Sequence, residues 1–281
     1  MISVTKITKY VYCPRGLFLT DVLKFEEPLK DIMVKGSVIH NIFDLMSRED
    51  ESIIKGIENR KTEKEIVELF FSRYKEVLKK TILARKDELK RFNLNEQDVF
   101  DDYISVVEEE AKLKAVELIE FIEKYNVFGE ELWNKLPKTE TEVSVKSENL
   151  GIKGRIDRVK IGEEIIPYEI KSGLVPKDGI WEGNKIQLCA YALILEEKFR
   201  KTVRSGFVYY AGSSEKREVV FNAFMKQEVM ELINKVNGML NSSEIPRFPE
   251  NTNKCRNCGL KDVCYDKKVL EKRAKEIKKA G

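Results

Sequence analysis

Apolar residues along this chain keep two rhythms, and the switch between them lays out the architecture. In "DIMVKGSVIHNIFDLM", Val34, Val38, Ile42 and Leu45 recur on one helical stripe. The preceding "TKYVYCPRGLFLTDVLKF" has the same spacing after an N-cap at Thr8, so two helices open the chain. From Lys61 to about Tyr125 there is no Gly or Pro. Ile66, Leu69, Phe70, Tyr74, Val106, Val107, Leu113, Val116 and Ile119 keep helical spacing there, which predicts two or three long helices.

After Pro137 the segments "TETEVSVK", "GIKGRIDRVKIG" and "EEIIPYEIKSG" are short, β-branched and punctuated by Gly, as in a strand meander. "NKIQLCAYALILEEKF" resumes the helical period, "VRSGFVYYAG" and "KREVVFNAF" add two strands, and "KQEVMELINKVNGML" adds another helix. A Pro- and Cys-containing irregular segment and a basic final helix follow. This order predicts an α/β fold: a small sheet flanked by helices, a helical insertion and a cysteine-rich terminus.

Composition adds limits. With 281 residues, 42% of them hydrophobic, the chain can bury a core as one elaborated domain or two small ones. A net charge of +3, from 51 basic and 48 acidic residues, is too small to imply a nucleic-acid partner by itself. No apolar run approaches the roughly 20 residues needed to span a bilayer. The N-terminus does not read as a secretion signal, so a cytoplasmic location with no membrane contact is expected. In that compartment the five cysteines, Cys13, Cys189, Cys255, Cys258 and Cys264, point to metal ligation rather than disulfides.

The strand "YEIKSG" carries charge where a core residue belongs. Alternation puts Glu169 and Lys171 on one face and Tyr168 and Ile170 on the other. If Ile161 pairs with Ile165 around a loop of Gly162, Glu163 and Glu164, Asp157 of "GRIDRVKIG" stands opposite Glu169. Facing Cβ atoms in a sheet lie about 5 Å apart, so two carboxylates there repel unless a cation joins them. Hard oxygen ligands suit Mg²⁺ or Mn²⁺, whose bound water can attack a phosphodiester, and Lys171 can orient that water or offset charge on the phosphate. A surface Glu/Lys pair is the plain alternative for the E-x-K triplet.

Asp157 followed twelve residues later by Glu169-Ile170-Lys171 resembles the PD-(D/E)xK core of RecB-type exonucleases. "GSVIH", Gly36 to His40, matches that family's G-x-x-x-H pattern, and "QLCAY", Gln187 to Tyr191, its Q-x-x-x-Y pattern. The resemblance implies a restriction-endonuclease-like core with a mixed sheet. It also implies a metal held by His40, Asp157, Glu169 and the backbone carbonyl of Ile170, with Lys171 catalytic and Gln187 and Tyr191 supporting the site or substrate.

"CRNCGLKDVC" spaces Cys255, Cys258 and Cys264 so that three thiolates can converge on one centre. Cys13 is the natural fourth ligand, and Cys189 reads as core. Spacing leaves zinc and iron-sulfur open. With the N-terminal cysteine and the nuclease core, the set resembles the iron-sulfur RecB-type nucleases, above all the CRISPR-associated Cas-four exonucleases. That resemblance implies an iron-sulfur cluster, 4Fe-4S or 2Fe-2S, on Cys13, Cys255, Cys258 and Cys264, and a Mn²⁺- or Mg²⁺-dependent DNA exonuclease acting 5′ to 3′ on single-stranded ends. It also implies DNA processing for CRISPR spacer acquisition, an antiviral defence, beside the integrase complex. A nuclease module of a DNA repair or recombination complex and a non-catalytic zinc-containing nucleic-acid-binding protein are the alternatives. The expected division is 1–50, N-terminal helices with Cys13 and His40; 51–135, helical insertion; 136–245, nuclease core; and 246–281, cluster segment and basic helix. Arg155 and Arg158, the seven basic residues of the last helix, and Trp181, Tyr209 and Tyr210 are candidates to contact phosphates or stack on unpaired bases, with core packing the alternative for the aromatics.

Overall fold

The computed structural model describes residues 1–280. The chain enters as a two-residue strand, β1 (Ile2–Ser3), that the sequence pattern does not announce, followed by α1 (Val4–Tyr12) and α2 (Pro14–Asp21). The helix expected from Thr8 therefore starts earlier, after Ser3, and breaks at Cys13. Pro14 brings no N–H and disfavours helical backbone in the residue before it, and Cys13 is extended (φ −161°, ψ 101°). The break turns Cys13 into the cap of α2, its sulfur accepting the Gly16 N–H at 3.2 Å.

Five helices then form one layer: α3 (Asp31–Lys55), α4 (Glu63–Ala84), α5 (Lys86–Arg91), α6 (Glu96–Tyr125) and α7 (Gly129–Lys135). Local chemistry sets their ends. Thr62 and Glu65 make a reciprocal capping box on α4, Asn95 caps α6, and Asn126 ends α6 in the left-handed region. Val34, Val38 and Ile42 of the expected stripe are buried, with Leu45 at the margin. Phe43 and Met46 of α3 meet Phe70 and Tyr74 of α4 and Val107 and Ala111 of α6. Charge is buried here too: the Tyr74 hydroxyl and the Lys114 ammonium both donate to Asp50, and Glu110 pairs with Arg158 of the sheet at 2.8 Å.

The sheet comprises β2 (Lys138–Ser147), β3 (Ile152–Ile161), β4 (Ile165–Lys171), β5 (Ser205–Tyr210) and β6 (Glu215–Val220), together with β1. The order is β1-β3-β4-β5-β6, with β2 also on β3. The β1–β3 and β4–β5 pairs are parallel and the others antiparallel, so the sheet is mixed. Ile161 pairs with Ile165 around the expected three-residue loop. The crossover from β4 to β5 is α8 (Glu182–Phe199), which with α9 (Ala223–Leu240) and α1 covers one face of the sheet. The helical layer covers the other face, where Ile170 and Tyr209 point. Tyr209 and Tyr210 are buried in the core and Arg158 is enclosed by the Glu110–Asp50 network, so these three are not available to contact a strand of nucleic acid.

The chain ends in α10 (Lys261–Tyr265) and α11 (Lys267–Ala280). Leu260 and Leu270 pack on Phe18, Leu19 and Leu23 of the N-terminal region, and Arg273 Nε donates to the Leu23 carbonyl at 2.9 Å. Among the described residues no helix is long and apolar enough to cross a membrane.

Tyr191 of α8 packs against Gly154 of β3, where an added Cβ would sit 2.6 Å from the tyrosine ring. Gly154→Ala should therefore push the ring out of place and destabilise the protein by about 1–3 kcal/mol, the usual cost of overpacking a filled core. A shift of the urea unfolding midpoint reads this, and an unchanged midpoint would show that the ring relocates without cost.

Candidate active site

Residues of α3, β2, β3, β4 and α8 meet where the β3–β4 ladder stops. On α3, Gly36, His40 and Asp44 stand four residues apart and share a face. A Cβ at Gly36 would lie 3.1 Å from Ser172 Oγ, so this glycine lets the helix close on the end of β4. One turn on, His40 Nδ1 lies 3.3 Å from Asp157 Oδ1, and one turn further Asp44 accepts the Thr141 hydroxyl of β2 at 2.7 Å. The G-x-x-x-H spacing thus has a packing reason: it lays one helix edge along the sheet.

The β3–β4 ladder stops at Arg158–Tyr168, one step short of Asp157 and Glu169. Asp157 takes over with its side chain, Oδ2 accepting the Ile170 N–H at 2.7 Å while Oδ1 faces His40. The Arg155 carbonyl, beyond the ladder, accepts the Tyr191 hydroxyl at 2.8 Å. Glu169 is buried on the α8 side. Lys171 Nζ is 2.7 Å from Glu169 Oε1 and donates to Gln187 Oε1 at 3.1 Å, and Gln187 Nε2 is 3.5 Å from Tyr191 Oη. His40, Asp157, Glu169, Lys171, Gln187 and Tyr191 are therefore brought together. Gln187 and Tyr191 touch the site's lysine and backbone, the contacts of positioning groups.

Glu142 of β2 joins the group, and the sequence reading missed it. Its Oε1 is 3.8 Å from His40 Nδ1, and His40, Glu142 and Asp157 each offer a ligand atom within 4.8 Å of the others. In "TETEVSVK" Glu142 reads as one of two solvent-facing acids; nothing local distinguishes it from Glu140. The fold does: β2 pairs with β3 on both sides of Glu142, but Glu142 itself leaves the ladder with φ +53°.

The electrostatics are those of a site short of a cation. Burial, and next the Asp157 charge, push the Glu169 carboxyl up to about 7 against the pull of Lys171 and His40. Burial alone would lower the His40 imidazole, but the hydrogen bond to Asp157 and the charges of Asp157, Glu169 and Glu142 outweigh it and raise its pKa. Burial also lowers Lys171 and the Glu169 charge raises it; the charge wins, so the ammonium stays protonated. Glu169 Oε2 is buried without a hydrogen-bond partner, although Oε1 has one. An imidazole and three carboxylates, one of them with an orphaned oxygen, fit a hard divalent ion.

Cys13, Cys255, Cys258 and Cys264 line one cavity of about 60 Å³, walled also by Tyr12 and Tyr265. Arg15 Nε donates to Cys264 Sγ at 3.1 Å, and its other nitrogens hold the Pro246 and Cys264 carbonyls at 2.8 and 2.9 Å. Lys254 reaches back to the Tyr12 carbonyl at 2.8 Å. Among the described residues no three of these sulfurs lie within 4.8 Å of one another. Cys189 sits apart, buried on α8.

A Cas4/Cas1 exonuclease–endonuclease fusion from Leptospira interrogans is 32% identical over 42% of this chain and 23% of its own length. The replication helicase/nuclease JHS1 of Arabidopsis thaliana is 22% identical over 94% of this chain and 20% of its own. The chain spans 20% to 27% of the length of the curated relatives it matches. A solved structure from Eubacterium rectale, named as a candidate exonuclease, aligns with 91% of this chain and 87% of its own at 14% identity and a TM-score of 0.44. The PD-(D/E)XK nuclease superfamily profile matches residues 1–265, nearly the whole sequence. The chain belongs to the PD-(D/E)XK nuclease superfamily.

Proposed function

We propose that this chain is a divalent-metal-dependent DNA exonuclease acting on single-stranded ends, 5′ to 3′, and that its cysteines carry an iron-sulfur cluster. The observation that carries the hydrolytic reading is the meeting of His40 and Asp157 at 3.3 Å beside the partnerless oxygen of buried Glu169. His40, Asp157, Glu169 and the Ile170 carbonyl would hold Mn²⁺ or Mg²⁺. When bound, that ion supplies a Lewis acid and a water of lowered pKa for phosphodiester hydrolysis. Lys171, kept charged by Glu169 and held by Gln187, orients that water or offsets charge developing on the phosphate. Tyr191 fixes the backbone at Arg155, so that Asp157 keeps its orientation.

That no three of the thiols among the described residues come within 4.8 Å of one another supports a cluster over a lone zinc. A tetrahedral ion with bonds of about 2.3 Å needs its sulfurs about 3.8 Å apart. Thiolates on separate irons stand further apart, around a cavity such as this one, and N–H donors to sulfur of the kind Gly16 and Arg15 provide tune such clusters. The similarity to Cas4/Cas1 fusions suggests trimming of DNA for CRISPR spacer acquisition beside an integrase. The match to JHS1 across 94% of the chain favours a second reading, a nuclease module of a replication or repair assembly.

Two experiments decide these points. Asp157→Asn keeps an oxygen for the Ile170 N–H, so the fold should survive while Mn²⁺-dependent cleavage of end-labelled single-stranded DNA falls at least about 100-fold. Lys171→Ala should fall similarly. DNA affinity should hold in both, and equal loss of binding and folding would sink the catalytic assignment. Protein purified without oxygen should show the broad visible absorption of thiolate-bound iron. Cys255→Ser should lose it together with about 3–5 kcal/mol of stability, the scale of a cross-link closing a loop of a hundred residues or more. Colourless protein with stoichiometric zinc would overturn the cluster reading.

A further inference from the structure

Glu142 occupies a place that ordinary strand packing does not explain. A non-glycine residue in the left-handed region costs about 1–3 kcal/mol, and such strain persists where the surroundings impose it. Thr141 and Val143 on either side keep their partners on β3, Arg158 and Ile156, so the distortion is confined to one residue. The register on either side puts it across from Asp157, out of the ladder, and its carboxylate turns toward His40. In an octahedral ion with bonds of about 2.1 Å, adjacent ligands are about 3.0 Å apart. His40 Nδ1 to Asp157 Oδ1 at 3.3 Å and to Glu142 Oε1 at 3.8 Å are close to that spacing. Asp157 Oδ2 is already engaged by the Ile170 N–H, which leaves Oδ1 as the free oxygen, on the side that Glu142 shares. Glu169 adds an independent sign of a missing cation: its Oε2 is buried and unpartnered beside the same aspartate.

Glu142 does have one cation now. Arg155 Nε lies 2.6 Å from Glu142 Oε2, and that guanidinium is two-thirds exposed, free to swing into solvent. We propose that Glu142 is a further ligand of the divalent ion, contributed by a strand outside the D…E-x-K motif, and that Arg155 is the counter-ion which that metal displaces. The inference rests on the dication reading above and adds one carboxylate to it.

The test is Mn²⁺ titration of the full chain without DNA, followed by loss of the free-ion EPR signal, with circular-dichroism melting as the control for folding. Glu142→Gln should weaken Mn²⁺ binding by at least about tenfold. Arg155→Gln should tighten it in the wild-type background and leave it unchanged in the Glu142→Gln background, because the competition it relieves is for Glu142. A carboxylate serving only as Arg155's structural partner predicts otherwise: the two single variants would act alike, or Arg155→Gln would shift binding equally in both backgrounds. Either result overturns the inference and leaves the metal reading standing. Failure of the wild type to bind Mn²⁺ more tightly than Asp157→Asn would overturn both.

Discussion

The Asp157 carboxylate closing the open end of the β3–β4 ladder is the constraint on which the site depends. Two antiparallel strands would normally carry Asp157 and Glu169 face to face, with the backbone paired between them. Here pairing ends at Arg158–Tyr168, and the buried backbone groups beyond must find other partners. The Ile170 N–H goes to Asp157 Oδ2 and the Arg155 carbonyl to the Tyr191 hydroxyl. Side chains do the work of a ladder, so the strands splay without leaving orphaned amides. The arrangement leaves one oxygen of Asp157 free for α3 and β2, while its charge still acts on Glu169.

Both faces of the sheet brace that opening. On the α8 side Gln187 and Tyr191, one turn apart, hold Lys171 and the Arg155 backbone. On the helical side Arg158, next to Asp157, is locked to Glu110 within the cluster of Asp50, Lys114 and Tyr74. Removing one partner from a buried ionic network costs several kcal/mol, because the other is left uncompensated. The helical layer is thus tied by charge to the residue beside Asp157.

How much of this could be read from the sequence varied with the range of the interactions. The turn at Gly162–Glu164 fixed the pairing of Ile161 with Ile165, so Asp157 and Glu169 could be placed near each other from local rules. His40 was found through the resemblance carried by Gly36-x-x-x-His40, and its packing reason became visible only with Ser172 and Thr141 in place. Glu142 could not be found: its departure from the ladder is imposed by tertiary neighbours, and along the chain it differs in nothing from Glu140. Arg158 looked like a basic residue beside a nuclease site, yet its partner lies 48 residues upstream on α6. The helix start at Thr8 was wrong, although Pro14 carried the signal for the break at Cys13.

Distant tethers likewise link the cysteine region to the candidate site. Cys13 caps α2, which leads through Pro28 and Lys30 into α3, the helix that carries His40. The cysteine segment grips that connection directly: the Lys30 ammonium donates to the Asn257 carbonyl, and Gly259 packs so tightly on Pro28 that a Cβ there would come within 3.0 Å. These contacts pin residues 27–30 against the 255–264 segment and set where α3 begins. From Asp31 the helix runs rigidly for nine residues to His40, about 13 Å at 1.5 Å per residue. The cysteine segment thus fixes the start of the helix that carries the His40 imidazole to Asp157.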